Sequence, residues 1–198
     1  ENGGIAVMTF WSGIVDDTDA CFLGGTPHSL MDVFGLRSTE IDGLYDGEEN
    51  SAAPVKGNSL GLDRTYTCRN LCELVKTSGA EVLMEYEKDF YQGLPVLTRH
   101  AFGKGKAFYV CADMEQAFYT DVLTRIIKQE NVSTPMEQIP DGIEVSTRES
   151  SEYLYTFVQN FNHEPVSVSL PEPAVLWFGT ETKGTVPEYG TVVYRTKK

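Results

Sequence analysis

The chain has 198 residues, a formal charge of −13 and an apolar share of 41%, enough for one good core and a smaller module. The acidity argues against nucleic acid or an anionic membrane surface as partner, and no apolar run approaches the roughly 20 residues of a membrane span. Cys21, Cys68, Cys72 and Cys111 follow neither a disulfide framework nor a zinc spacing. Reduced core cysteines are expected, which suits a cytoplasmic protein, with secretion left open.

In chain order, Gly3-Gly4 followed at once by an apolar run reads as a helix C-terminus leading into a parallel strand. Only Glu1 and Asn2 stand before it, and no methionine opens the chain. The expectation is an internal piece of a larger protein that begins just after a helix. Ile5 to Trp11 is apolar throughout and reads as a central strand covered on both faces. Ser12 to Gly25 then forms a turn-rich loop at the strand's C-terminal end, where open α/β sheets place their functional loops. Thr26 reads as the N-cap of a short helix with Pro27 at its first position, and Gly35 ends it. Leu36 to Asp63 is weakly patterned, with short strand pieces at best.

A helix is expected from Thr67 to Ser78, because Cys68, Leu71, Cys72 and Val75 form an i, i+3, i+4, i+7 apolar stripe. Strands follow at Glu81 to Tyr86, Pro95 to Phe102 and Lys106 to Ala112. Gly103-Lys104-Gly105 reads as a hairpin loop, since it lacks the spacing and the Ser/Thr of a phosphate-binding loop. Asp113 reads as the N-cap of a last helix with Gln116 at the capping-box position; Phe118, Val122, Arg125 and Ile126 give that helix its one-sided period. This order predicts an α/β sheet of mixed strands.

Near Pro135 to Pro140 the helical period disappears, which marks a linker. Short strands at Ile143 to Thr147, Tyr153 to Asn160, Val166 to Leu170, Ala174 to Trp177 and Thr191 to Thr196 predict a small antiparallel sandwich or open barrel. The expected domains are therefore residues 1–137 and 138–198. They hold 21 acidic and 11 basic residues, and 8 and 5, giving −10 and −3; the acid thus sits mainly on the first, notably between Glu40 and Glu49, as a solvated loop.

Several segments together carry a resemblance. They are Gly3-Gly4, Phe10 to Asp17, Cys21 to Gly25, Glu40 to Leu44, Leu71 to Val75, Gly79 to Leu83, Phe90 to Arg99 and Phe102 to Tyr109. In this order the chain resembles the middle domain of family 42 β-galactosidases, and the remainder resembles the family's small C-terminal β-domain. The resemblance implies a partial flavodoxin-like, or class I glutamine amidotransferase-like, α/β domain followed by a small all-β antiparallel domain. It implies that the parent protein hydrolyses terminal β-galactosides with retention and assembles as a trimer. Its catalytic glutamates would lie on an N-terminal (β/α)8 barrel, which then counts as a partner of this chain.

A retaining glycosidase needs two carboxyl groups about 5 Å apart. Asp16, Asp17 and Asp19 are the only clustered acids on a loop suited to a site, and nothing in sequence sets one apart as an acid. They are read as turn formers, and neither catalytic, cofactor-binding nor metal residues are assigned to this chain, nor any cofactor. An amidotransferase-like enzyme would need a cysteine on a glycine-flanked elbow beside a histidine. Cys21 lies between Ala20 and Phe22, Cys111 lies inside an expected strand, and His28, His100 and His163 are scattered. The third reading is a carbohydrate-binding accessory module, for which Tyr153, Tyr155 and Phe157 alternate on one strand face with Trp177 on another. Such alternation more often marks the core side of a sandwich, and core is the expectation here. Trp11 is expected either to cap the core or to point into an interface.

Overall fold

The computed structural model describes residues 2–136, 138–169, 173–180 and 184–198. Glu137, at the expected domain boundary, and Leu170, the last residue of an expected strand, lie outside the described residues. The chain folds as two compact units, Glu1–Val132 and Ser133–Lys198. Met136, within the stretch read as a linker, is buried in the core of the second.

The first unit contains β1 (Ile5–Thr9), a 3-10 turn at His28–Leu30 running into α1 (Met31–Phe34), β2 (Leu36–Gly43), β3 (Asn50–Pro54), β4 (Tyr66–Thr77), β5 (Glu81–Tyr86), β6 (Pro95–Phe102), β7 (Gly105–Val110), β8 (Ala112–Met114) and α2 (Gln116–Gln129). The strands form one mixed sheet in the order β1-β7-β6-β5-β3-β4-β2, with β8 paired to β4. Only β1 and β7 run parallel among the pairs described.

Two cores lie on the two faces of this sheet. Phe118, Val122 and Ile126 of α2 pack onto Phe108, Val110, Leu74, Cys72 and their neighbours, as the helical period of that segment requires. On the opposite side Phe34 and Leu36 pack with Val75, Ala107, Tyr109 and Cys111. Arg125, at the margin of the apolar stripe, donates to the Gly61 carbonyl and to Asp63 at 3.1 Å.

The expected helix at Thr67 to Ser78 is instead β4, the longest strand. Cys72 to Val75 are buried without a break, which suits a strand covered on both faces and not a helix with one apolar stripe. Asn70 takes φ +56, and the register against β8 shifts between Arg69 and Cys72. Cys68 and Cys72 lie an even number of residues apart, so both serve the same core, and with Val75 of the opposite core they counterfeit a helical four-residue repeat. The weakly patterned stretch after Leu36 likewise contains a full strand, β2, paired along β4 with its own bulge.

Three smaller expectations change as well. β1 lies at the edge of the sheet, with Ala6, Val7 and Thr9 exposed, and not in its centre. Thr26 does not cap α1: its carbonyl accepts the Ser38 N–H at 2.8 Å in a bridge to β2, and its peptide with Pro27 is cis. Asp113 lies in β8, where its carboxylate accepts from the Asn70 amide at 2.7 Å, so Glu115 precedes α2 and no capping box forms. Gly35 does end α1, at φ +61 with its N–H on the Met31 carbonyl. Gly103 and Lys104 do turn a hairpin, and Lys106 is held by Glu130 at 2.5 Å.

The second unit has β9 (Ile143–Glu149), β10 (Tyr153–Asn160), β11 (Val166–Ser167), β12 (Val175–Phe178), β13 (Thr185–Val186) and β14 (Thr191–Lys197). Its antiparallel sheet runs β12-β14-β10-β9, and β11 pairs with β13. Asn160 is buried and fixes the end of β10. Its amide donates to the carbonyls of Glu164 at 2.8 Å, Pro187 at 2.9 Å and Val186 at 3.2 Å.

At Gly35 a Cβ would lie 2.6 Å from the His100 ring in a left-handed backbone. Gly35→Ala is therefore expected to lower stability by about 2 kcal/mol in urea unfolding. Part of the loss should return in the Gly35→Ala/His100→Ala double variant; equal unfolding midpoints for the wild type and Gly35→Ala would contradict the tight contact.

Candidate functional site

The loop that leaves β1 is anchored by a buried acid. Trp11 has φ +58, a left-handed conformation that bulky residues avoid, and the residue is 58% exposed. Its N–H donates to Glu73 Oε1 at 3.2 Å, and the Tyr109 hydroxyl donates to Oε2 at 2.8 Å. Glu73 is fully buried, and its own N–H is bound to the Cys111 carbonyl at 2.7 Å. The Tyr86 hydroxyl closes the cluster on the carbonyls of Glu73 and Cys111 at 3.2 and 3.1 Å. Burial pushes the Glu73 carboxyl above its ordinary range, against the two donors that pull it down. Burial and the Glu73 charge raise the Tyr109 hydroxyl.

Beyond Trp11 the loop is organised by its own side chains. Asp16 Oδ1 accepts from Thr18 N at 2.8 Å, Thr18 Oγ1 at 2.7 Å and Ala20 N at 3.1 Å. The Thr18 hydroxyl, then the Thr18 and Ala20 amides, hold the Asp16 carboxyl below its usual range. Asp17 and Asp19 are exposed beside it, Asp19 at φ +61. Val15 and Cys21 bridge the arms of the loop, and Phe22 stacks on His28 at 4.1 Å. An Asp whose acceptor atom is occupied by its own turn lacks the raised pKa of a general acid.

The cysteine–histidine arrangement does not assemble either. Cys21 is exposed, and Cys111 is buried in the sheet, where desolvation first and then the Glu73 charge keep its thiol protonated. His100 contacts the Val33 carbonyl at 3.0 Å, and His163 meets the Tyr189 hydroxyl. Among the described residues no group of three or more His, Cys, Asp or Glu side chains is placed to hold a metal ion. Likewise, no described helix is long and apolar enough to cross a membrane.

In the second unit the aromatic alternation marks the outer face, which corrects the expectation of a core. Thr156, Val158 and Asn160 are the buried residues of β10, while Tyr153, Tyr155 and Phe157 are only half-buried. Tyr155 meets Trp177 edge-on at 5.3 Å and Tyr153 at 6.2 Å. Arg195 and Arg148 stand opposite Tyr155 on the flanking strands, and the Arg195 guanidinium lies over the Tyr153 ring at 5.1 Å. All four residues of β12 are exposed, and a register shift between Leu176 and Phe178 places Trp177 at a bulge. Val192 and Tyr194 instead fill the core beneath.

Glu73 carried one signal in sequence. It is the single charge inside Leu71 to Val75, which a helical reading turns harmlessly outward and a strand reading turns inward. Because its pKa is raised in the fold, the folded state binds the extra proton, and stability falls as pH rises above about 4.5. Glu73→Gln removes that term. Thermal unfolding between acid and neutral pH is expected to show the wild type losing stability relative to Glu73→Gln as pH rises; parallel curves would contradict a buried titrating carboxyl.

Comparison with known proteins gives both units a family. The model of the β-galactosidase trimerisation domain of glycoside hydrolase family 42 matches residues 1–133, and that of the family's C-terminal domain matches residues 142–195. The β-galactosidase BglY of Alicyclobacillus acidocaldarius is 41% identical over 198 residues, covering 98% of this chain and 29% of its own. Pbg of Clostridium perfringens is 38% identical over 173 residues, 87% of this chain and 25% of its own. The crystal structure of the β-galactosidase from Rahnella sp. R3 superposes with a TM-score of 0.80 at 36% identity, covering 99% of this chain and 29% of that one. This chain thus spans under a third of the relatives it matches. It belongs to the family 42 β-galactosidases, of which it carries the trimerisation and C-terminal domains.

Proposed function

We propose that this chain is the non-catalytic assembly and active-site-supporting portion of a β-galactosidase that hydrolyses terminal β-D-galactosides with retention. The observation that carries the reading is the match of both units, in order, to the trimerisation and C-terminal domains. The loop chemistry supports it: among the clustered acids Asp17 and Asp19 are exposed, and the half-buried Asp16 is consumed by its own turn. A paired acid and nucleophile require opposed pKa shifts in one enclosed site. The catalytic pair then sits on a (β/α)8 barrel of the parent protein, a partner of this chain along with the other copies of a trimer. Free cysteines at all four positions favour a cytoplasmic setting.

The first unit is read as the later part of a flavodoxin-like domain. β1 pairs in parallel with β7, yet Ala6 and Val7 are exposed and an apolar groove of about 260 Å³ lies beside them, lined by Val33, Phe102 and Ala107 among others. Parallel strands are normally covered on both faces, so further βα units of the parent would complete this edge.

Size-exclusion chromatography with light scattering, joined to a β-galactosidase assay on the same fractions, tests the main reading. A defined oligomer without turnover is expected. Turnover that follows the protein peak and disappears in Asp16→Asn/Asp17→Asn would overturn it.

A second reading rests on the exposed rings Tyr153, Tyr155 and Trp177 with Arg148 and Arg195 beside them. Rings that are apolar on the face and wet at the rim, flanked by guanidinium donors, favour a carbohydrate contact on the second unit. In a Trp11→Phe background Trp177 is the sole tryptophan. Its fluorescence is expected to change saturably with galactose, at a dissociation constant on the order of millimolar; a strictly linear response would remove this reading.

A further inference from the structure

The first unit exposes ten large apolar side chains, and four of them, Val7, Trp11, Val15 and Leu23, fall on β1 and the loop that follows it. The rest are scattered over β2, the turns and α2. Leu23 is 91% exposed and Trp11 58%, which single soluble chains seldom tolerate so close together. The loop bearing them is nonetheless built stiffly. Val15 bridges Cys21, the Phe22 N–H reaches the Ile14 carbonyl at 2.8 Å, the His28 N–H reaches the Gly13 carbonyl at 3.1 Å, and Phe22 stacks on His28. Trp11 is the extreme case. A fully buried carboxylate, an expensive group to desolvate, is spent on the N–H of a residue whose ring points to solvent.

Strain and burial cost of this kind persist where a geometry is needed, and an ordered aromatic loses little freedom when a partner covers it. We infer that Trp11, on the same loop as the exposed Val15 and Leu23, is the anchor by which the first unit meets a second copy of this chain, and that Glu73 and Tyr109 are positioning residues that hold the anchor out. The inference rests on the assembly reading and adds to it the surface used. The second copy is the occupant because the family model covering this unit is that of a trimerisation domain. A tryptophan at the centre of an interface is the residue type whose removal costs most.

The test is light scattering of the 198-residue chain over a dilution series, with five variants. Trp11→Ala should raise the dissociation constant about 30-fold or more. Glu73→Met/Tyr109→Phe removes both buried partners together and preserves apolar volume, so the fold should survive while association weakens, though neither residue faces the partner. In a Trp177→Phe background the same pair should lower the fluorescence anisotropy of Trp11, and Glu73→Gln, which keeps an acceptor for the Trp11 N–H, should restore both readouts. Tyr45→Ala and Phe90→Ala remove rings that are 81% and 72% exposed elsewhere on the unit and should leave association unchanged. Wild-type oligomers that survive Trp11→Ala would overturn the inference and leave the assembly reading intact. Loss of association in Trp11→Ala with none in Glu73→Met/Tyr109→Phe, at unchanged anisotropy, would overturn the positioning role. A wild type that is monomeric at every concentration would overturn the assembly reading and this inference with it.

Discussion

The first unit depends on one constraint: its central strands are covered on both faces, so Cys72, Leu74 and Val75 of β4 and Ala107 to Val110 of β7 each belong to one of two cores. Cys72 and Leu74 serve the core under α2, and Val75 serves the opposite one, as Phe108 and Val110 do against Ala107 and Tyr109. A strand in that position has no solvent side on which to place a charge. Glu73 is tolerated because two neutral donors, one hydroxyl and one main-chain amide, meet its two oxygens. Removing either donor would leave part of a buried carboxylate unmatched. The acid therefore joins three elements, β4, β7 and the start of the loop after β1, through contacts no apolar residue could supply.

The two units differ in how they use aromatic residues. In the first, the large rings Tyr86, Tyr109, Phe108 and Phe118 are interior, and Tyr86 and Tyr109 direct their hydroxyls to carbonyl or carboxylate oxygens. In the second, the core is built from Val158, Val186, Val192 and Tyr194, and the aromatic residues of β10 and β12 are turned outward among arginines. A sheet whose inner face is filled by valines leaves little volume for larger rings, which explains how a strictly alternating Tyr-Leu-Tyr-Thr-Phe run ends with its bulky members outside.

Much of this was legible in the sequence, and the failures have a common origin. The hairpin at Gly103-Lys104, the Gly35 stop, α2 and five of the strands of the second unit, β9 to β12 and β14, follow from local turn chemistry and period. The segment Tyr66–Thr77 imitates a helix because a strand buried on both faces sends Cys68 and Cys72 to one core and Val75 to the other, and their combined spacing matches a helical stripe. Thr26 and Asp113 have the right chemistry for caps, but the sheet claims both, one through its carbonyl and one by its place in β8. The face on which Tyr153, Tyr155 and Phe157 lie was undecidable locally, since alternation fixes which residues share a side and not which side is covered. The role of Glu73 was hidden for the same reason as β4: its burial depends on strands more than thirty residues away.

The pairing of β1 has a consequence for the order of events in folding. Ile5 through Thr9 find their partners at Lys106 through Val110, about a hundred residues further along, whereas β5, β6 and β7 are joined through neighbours in sequence. Contacts closed over so long a loop come at a high entropic cost and form slowly. During synthesis Ile5–Thr9 meets its partner β7 only after nearly the whole unit has emerged. The turn at Trp11 takes shape only when Tyr109 and Glu73 are both in place. This surface loop is thus completed among the last parts of the unit, and its presence reports that the sheet beneath it is finished.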